Sequence, residues 1–254
     1  MSSCHERGFA GEIAMSVIQV GPHNVALWER FLPVQSNAED WQSYQSFKGE
    51  TSDNLGRRMR FLSLAQLVRR VAADGIPGKY VECGSLMGHS AHVIASTMTL
   101  CGVSQRLMLF DSFEGLSPAT KEDFDVAPGH VDIKGIQSNL RAGVTMFASP
   151  IETAKRNLEQ HDFIDYYKGW IPETFAGHED EQFAFGHIDV DLYEPVKASL
   201  EFIYPRMPSG GIIQIDDYNF IDWPGANQAV DEFLAAAKPH FFFELPLGGA
   251  FLIK

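Results

Sequence analysis

From residue 79 onward the chain alternates short apolar runs with amphipathic stretches. The runs Tyr80–Cys83, Leu107–Phe110, Ile164–Tyr167, Ala184–Ile188 and Ile212–Ile215 are strand-sized and almost wholly apolar, as strands buried on both faces of a parallel sheet are. Helices are expected to start near Met87, Pro150, Pro172 and Glu194, with another over 227–238, which makes a succession of βαβ units. Ahead of them, Ser52 and Asp53 can cap a helix whose apolar stripe includes Leu62, Leu67, Val68 and Val71 and which Asp74-Gly75 ends. The last two runs, His240–Leu245 and Ala250–Ile253, are joined only by Pro246-Leu247-Gly248-Gly249. So short a link makes them antiparallel, because a parallel pair needs a long crossover. The expected fold is α/β: a mainly parallel seven-stranded sheet with an antiparallel C-terminal hairpin and helices on both faces.

One interval is too long for this scheme. About fifty residues separate Asp111 from the third run, roughly twice a helix with its loops. The surplus, rich in Gly, Pro and Asp around Pro118–Ser138, reads as a lid inserted near 114–160.

Composition narrows the function. Hydrophobic residues make up 45% of the 254, enough for a substantial core, and no apolar run is long enough to span a membrane. Met1–Val20 mixes Glu6, Arg7 and Glu12 into a weakly apolar run, unlike a signal peptide. Three scattered cysteines, Cys4, Cys83 and Cys101, form no CxxC pair and fit a reducing cytoplasm. A net charge of -13 argues against a nucleic-acid partner.

The first run leads into Glu82-Cys83-Gly84-Ser85-Leu86-Met87-Gly88-His89-Ser90. Gly84 lets backbone approach a ligand closely, and Gly88 opens a helix whose N–H groups attract an anion. The second run ends at Asp111-Ser112, about 27 positions beyond Gly84, where an acidic side chain can accept from ribose hydroxyls. The pair points to a nucleoside-type cofactor. In S-adenosylmethionine the helix would meet the carboxylate and Glu82 the ammonium. The G-x-x-x-G spacing does not itself separate that cofactor from NAD.

The fourth run ends in Asp189-Val190-Asp191 and the fifth in Asp216-Asp217. Carboxyl ends of neighbouring parallel strands converge on the ligand crevice. Four carboxylates there repel one another and raise each other's pKa, a cost that a hard divalent cation removes. Oxygen-only ligands favour magnesium. A cation beside an acceptor hydroxyl lowers its pKa, and a carboxylate that the cation does not use can take the proton. Trp170, Tyr193, Tyr218 and Trp223 follow strand ends, as stacking surfaces or as packing.

The segments ECGSLMGHS, FDSFEGL, KGWIPETF, HIDVDLYEP, YPRMPSGGIIQIDDY and GANQAVDEF resemble, in order and spacing, the macrocin O-methyltransferase (TylF-like) family. These are Rossmann-like class I S-adenosylmethionine-dependent methyltransferases, for which a parallel sheet closed by an antiparallel hairpin is usual. The resemblance covers roughly 75–234. It implies a magnesium-dependent O-methyltransferase acting on a small-molecule hydroxyl, of the kind carried by deoxysugars of natural products, and a homo-oligomer. Residues 1–74 would be an N-terminal helical cap and 75–254 the methyltransferase domain. Asp189, Asp216 and Asp217 resemble the metal ligands and Asp191 the catalytic base. Glu82, Gly84, Ser85, Gly88, Ser90, Asp111, Ser112, Gly169 and Trp170 fall in cofactor-binding motifs. The opening motif, GSLMGHS, lacks the Trp and Arg commoner in the family. A phenolic acceptor, or a cofactor-binding partner protein without activity, are the alternatives.

Overall fold

A computed structural model describes residues 38–51, 53–127, 129–132 and 134–254. Residues 1–37, with Cys4 and the Met1–Val20 run, and the expected cap Ser52 lie outside the described residues. So does the first half of the expected helical cap.

The strands are β1 Lys79–Cys83, β2 Leu107–Asp111, β3 Ile164–Lys168, β4 Phe183–Ile188, β5 Ile212–Ile215, β6 Phe241–Glu244 and β7 Ala250–Ile253. They form one sheet in the order β3-β2-β1-β4-β5-β7-β6. β1 to β5 run parallel, whereas β7 pairs antiparallel with both β5 and β6, as the sequence predicts. Strand order reverses between β1 and β4, the crevice where open α/β sheets bind ligands.

Around the sheet lie α1 Ala38–Gln45, α2 Leu55–Ala73, α3 His89–Leu100, α4 Ile136–Arg141, α5 Ile151–Asn157, α6 Tyr193–Ile203 and α7 Pro224–Ala237. Side chains alternate between two cores. Val81, Cys83, Met108, Phe110, Ile213 and Ile215 pack on the face shared with Val196, Leu200 and Val230 of α6 and α7. Tyr80, Leu107, Leu109 and Ile212 pack on the other face with Leu64, Val68, Ile94 and Met98 of α2 and α3. The two-residue period of a strand produces both sets.

Three local expectations need correction. The cap of α2 is Asn54, whose side chain accepts from the Arg57 N–H at 2.9 Å; Asp53 instead binds Arg58 and the Tyr44 hydroxyl. Near Pro172 there is one 3-10 turn, Glu173–Phe175, in place of a helix. Within the long interval only α5 is the crossover helix, so the inserted stretch ends near Ser149. That stretch is keyed to the domain by Asp123, which is 2% exposed. Its carboxylate accepts the Tyr193 N–H that opens α6 (2.8 Å) and the Thr120 N–H (2.8 Å).

Candidate active site

The tips of β1, β2, β4 and β5 open into a cavity of about 670 Å³. Its floor is the turn from Gly84 to Ser90, with Asp111 and Ser112 beside it, Gly169 and Trp170 on one flank and the four aspartates on the other. Arg57, Arg60 and Phe61 of α2, Leu116 and Phe147 of the inserted stretch, and Phe220 and Trp223 beyond β5 complete the wall.

Gly84 is needed where β1 meets β4. With φ at 83°, a Cβ there would collide with the carbonyl oxygen of Asp189, so glycine lets the two strand tips touch. Asp111 ties this turn down. One carboxylate oxygen accepts the N–H of Ser85 (2.7 Å) and of Leu86 (2.9 Å), and the other accepts that of Phe113 (2.6 Å). Ser112 shapes the next turn, its hydroxyl donating to the Gly115 carbonyl (2.7 Å) and accepting the Glu114 N–H (3.0 Å). No side chain caps α3, and its first residues His89 and Ser90 line the cavity.

Glu82 does not reach the cavity. Glu82 and His187 are register partners on β1 and β4, both completely buried, with Glu82 Oε1 2.9 Å from His187 Nδ1. The other imidazole nitrogen lies 3.9 Å from Asp216. Burial opposes charge on His187, but the carboxylates of Asp216 and Glu82 outweigh it and push its pKa up to about 10. The expected role of Glu82, meeting an ammonium in the cavity, is therefore corrected: its partner is the imidazolium of the neighbouring strand.

The aspartates divide differently from expectation. Carboxylate oxygens of Asp189, Asp191 and Asp217 all lie within 4.8 Å of one another. Asp191 takes a left-handed backbone (φ 61°), tolerable for aspartate, and its N–H donates to Asp217 Oδ2 at 2.9 Å. Asp216 stands apart. Both its oxygens are 2.9 Å from Arg60 Nε, so the expected ligand set Asp189, Asp216 and Asp217 is not the set brought together here; Asp191 takes the place of Asp216. Charge follows this division. Burial and the neighbouring carboxylates push Asp189, Asp191 and Asp217 well above the usual carboxylate range. Burial acts on Asp216 too, but His187 and Arg60 reverse it and hold its pKa low.

Residues 33–240 match the TylF macrocin O-methyltransferase family. The chain belongs to that family. It is 31% identical over 164 residues to the 8-demethyl-8-(2,3-dimethoxy-alpha-L-rhamnosyl)-tetracenomycin-C 4'-O-methyltransferase of Streptomyces olivaceus, covering 63% of this chain and 60% of that protein. It is 28% identical over 181 residues to the demethyldecarbamoylnovobiocin O-methyltransferase of Streptomyces niveus, covering 69% and 65%. The chain thus matches under two thirds of the length of either relative. Among solved structures, the O-methyltransferase NovP superposes with a TM-score of 0.62 at 23% identity, over 76% of this chain and 78% of that one. The calicheamicin methyltransferase CalS11 gives 0.62 at 22% identity, over 98% and 99%. These likenesses establish the class I O-methyltransferase fold.

Every predicted site residue except Glu82 and Gly88 lines the cavity; Gly88, at φ 92°, packs against Leu158. Sequence reasoning missed Arg57 and Arg60, whose three-residue spacing on an amphipathic helix puts two cations on one face. It also missed His187 as the partner of Glu82, although histidine inside an apolar strand requires a buried partner. Trp170 and Trp223 line the cavity, whereas Tyr193 and Tyr218 turn away to Glu232 and Asp231.

Proposed function

We propose that this protein transfers a methyl group from S-adenosylmethionine to a hydroxyl of a small molecule, a sugar of a glycosylated natural product, with a divalent cation at the aspartate cluster. The observation that carries the reading is the convergence of Asp189, Asp191 and Asp217 on the wall of the cavity that adjoins the β1–α3 turn. Asp217 is buried and Asp189 and Asp191 are half-buried; carboxylates drawn out of water without a salt bridge are a costly arrangement, and an all-oxygen set fits a hard ion such as magnesium. The cavity volume lies in the range of roughly 300–1,000 Å³ that encloses a cofactor-sized molecule. The acceptor class is supported by the two relatives, whose names describe methylation of a rhamnosyl-tetracenomycin and of demethyldecarbamoylnovobiocin.

When bound, S-adenosylmethionine supplies the sulfonium methyl, and the cation supplies positive charge that lowers the acceptor hydroxyl's pKa. The protein's own residues do the rest. The uncapped start of α3 receives the cofactor's carboxylate. The turn held by Asp111 orients the nucleoside, with Asp111 and Ser112 at the ribose and Gly169-Trp170 beside it. Asp189 and Asp217, with Asp216 next to them, hold the cation. Asp191, three residues beyond the end of β4 on the cavity wall, takes the acceptor's proton as general base. The apolar rings of Phe61, Phe147, Phe220 and Trp223 exclude water and align the hydroxyl with the methyl group. α2 and the inserted stretch form the cap and lid that recognise the acceptor, and the protein works in the cytoplasm.

The test is turnover. Purified protein with S-adenosylmethionine is expected to release S-adenosylhomocysteine with a deoxysugar glycoside and much less with a catechol. Faster turnover of the catechol would overturn the sugar assignment, and no release with any acceptor would overturn the activity.

A further inference from the structure

Charge at the strand tips is balanced only in part. The Glu82–His187 pair and the Asp216–Arg60 pair each bring together one anion and one cation. Asp189, Asp191 and Asp217 have no salt bridge among the described residues. Among the described residues, Arg60 is the one arginine bonded to the cluster. It comes from α2, outside the strand tips, and its side chain is 18% exposed against 6% for Asp216. Its charge is felt across the site: burial works against it, but Asp216, Asp189 and Asp217 together keep the guanidinium firmly protonated. A guanidinium N–H shared by both oxygens of a carboxylate, as Arg60 Nε–H is here, competes with a cation for that carboxylate through its charge and the lone pairs it engages.

We propose that Arg60 is an internal counter-ion for the aspartate cluster, holding Asp216 while the cation is absent and yielding it when the cation binds. This rests on the cation-dependent reading above. Asp216 and Asp217 are consecutive at the end of β5, and Asp189 ends β4 beside them, so releasing Asp216 adds a carboxylate to the same tip. Asp191 is then spared for the acceptor's proton, which reconciles the ligand set implied by the sequence motifs with the set seen around Arg60. The released side chain has a resting place: its guanidinium already lies 5.2 Å from the Phe220 ring centroid, on the cavity wall, a distance at which a cation is attracted to the ring face. Because Arg60 belongs to α2, which also contributes Arg57 and Phe61 to that wall, cation binding and the shape of the acceptor end are coupled through one side chain. Arg60 is a positioning residue in this scheme, since it acts through Asp216.

Competition between like charges gives the test. Manganese binding to metal-free protein is measured by calorimetry and by the loss of the free-ion paramagnetic resonance signal, for wild type, Arg60→Gln and Arg60→Lys. Arg60→Gln removes the competing charge and is expected to bind manganese about tenfold more tightly, a difference of ~1.4 kcal/mol. Arg60→Lys keeps the charge but loses the planar fork and is expected to fall between the two; it decides the matter if the Gln variant does not fold. Hydrogen exchange gives a second readout: manganese should alter protection in the first turns of α2 in wild type and leave Arg60→Gln unchanged. Manganese binding to wild type with equal or weaker affinity in the variants would overturn the role of Arg60 while leaving the cation site standing. No binding to any of the three proteins would overturn the cation site, and this inference with it.

Discussion

Asp191 and Asp217 lie in one cluster, yet replacing each should do different things. Asp191→Asn is expected to lower turnover by about 10²–10⁴-fold, the contribution of a positioned base, with manganese affinity near wild type. Asp217→Asn should lose affinity and turnover together. Rate assays paired with calorimetry check this, and loss of cation binding in Asp191→Asn would make Asp191 a ligand. Asp111 carries a structural duty that its motif did not reveal. Its carboxylate accepts three backbone N–H groups, of Ser85, Leu86 and Phe113. Asp111→Ala is therefore expected to cost about 1–3 kcal/mol of stability, the price of leaving such donors unmatched, and also to weaken S-adenosylmethionine binding; denaturant unfolding and cofactor titration measure the two separately. Strand-end acids were legible because each closes an apolar run. What each acid binds was not, since Arg60 and Asp216 stand 156 positions apart and no local pattern joins them.

At the scale of elements, the buried strands were readable to within a residue or so at each end, because burial on both faces forces continuous apolar runs. The inserted stretch was readable as an excess of length but not as structure: α4 is only six residues long, below the length at which periodicity shows. Its anchor is Asp123, and Asp123→Ala is expected to destabilise the fold by about 1–3 kcal/mol, since the Tyr193 and Thr120 N–H groups lose their acceptor; thermal unfolding tests this, and an unchanged midpoint would contradict it. α1 escaped the sequence reading because its eight residues are mostly polar. The chain just beyond it meets α3 through Ser46, whose hydroxyl is 2.9 Å from His92 Nε2, and Phe47, stacked on His89 with centroids 4.5 Å apart. Burial, with smaller contributions from His161 and His89, pushes the His92 pKa down to about 4. A histidine whose folded pKa lies below its unfolded value stabilises the fold above about pH 6.5, and that stability is lost as the pH falls toward 4, because the unfolded chain takes up the proton first. The melting temperature of wild type should therefore fall more than that of His92→Gln between pH 7 and pH 5. Parallel curves would show that His92 is not held neutral.

For the whole molecule, the sheet does one thing that matters for chemistry: it delivers the tips of β1, β2, β4 and β5 to a single crevice. Gly84 allows β1 and β4 to touch there, and the antiparallel β7 seals the flank of β5. The Gly84–Ser90 turn and the aspartate cluster therefore sit side by side in one cavity, while α2 and the inserted stretch complete its wall. The account stands on that juxtaposition. The most direct measurement is a crystal structure grown with manganese and S-adenosylhomocysteine, using the anomalous signal to locate the ion. The predicted result is a single peak within direct coordination distance of Asp189 and Asp217, with the bound nucleoside against the Gly84–Ser90 turn. A peak elsewhere, or clear density for the nucleoside with no ion among the aspartates, would contradict it.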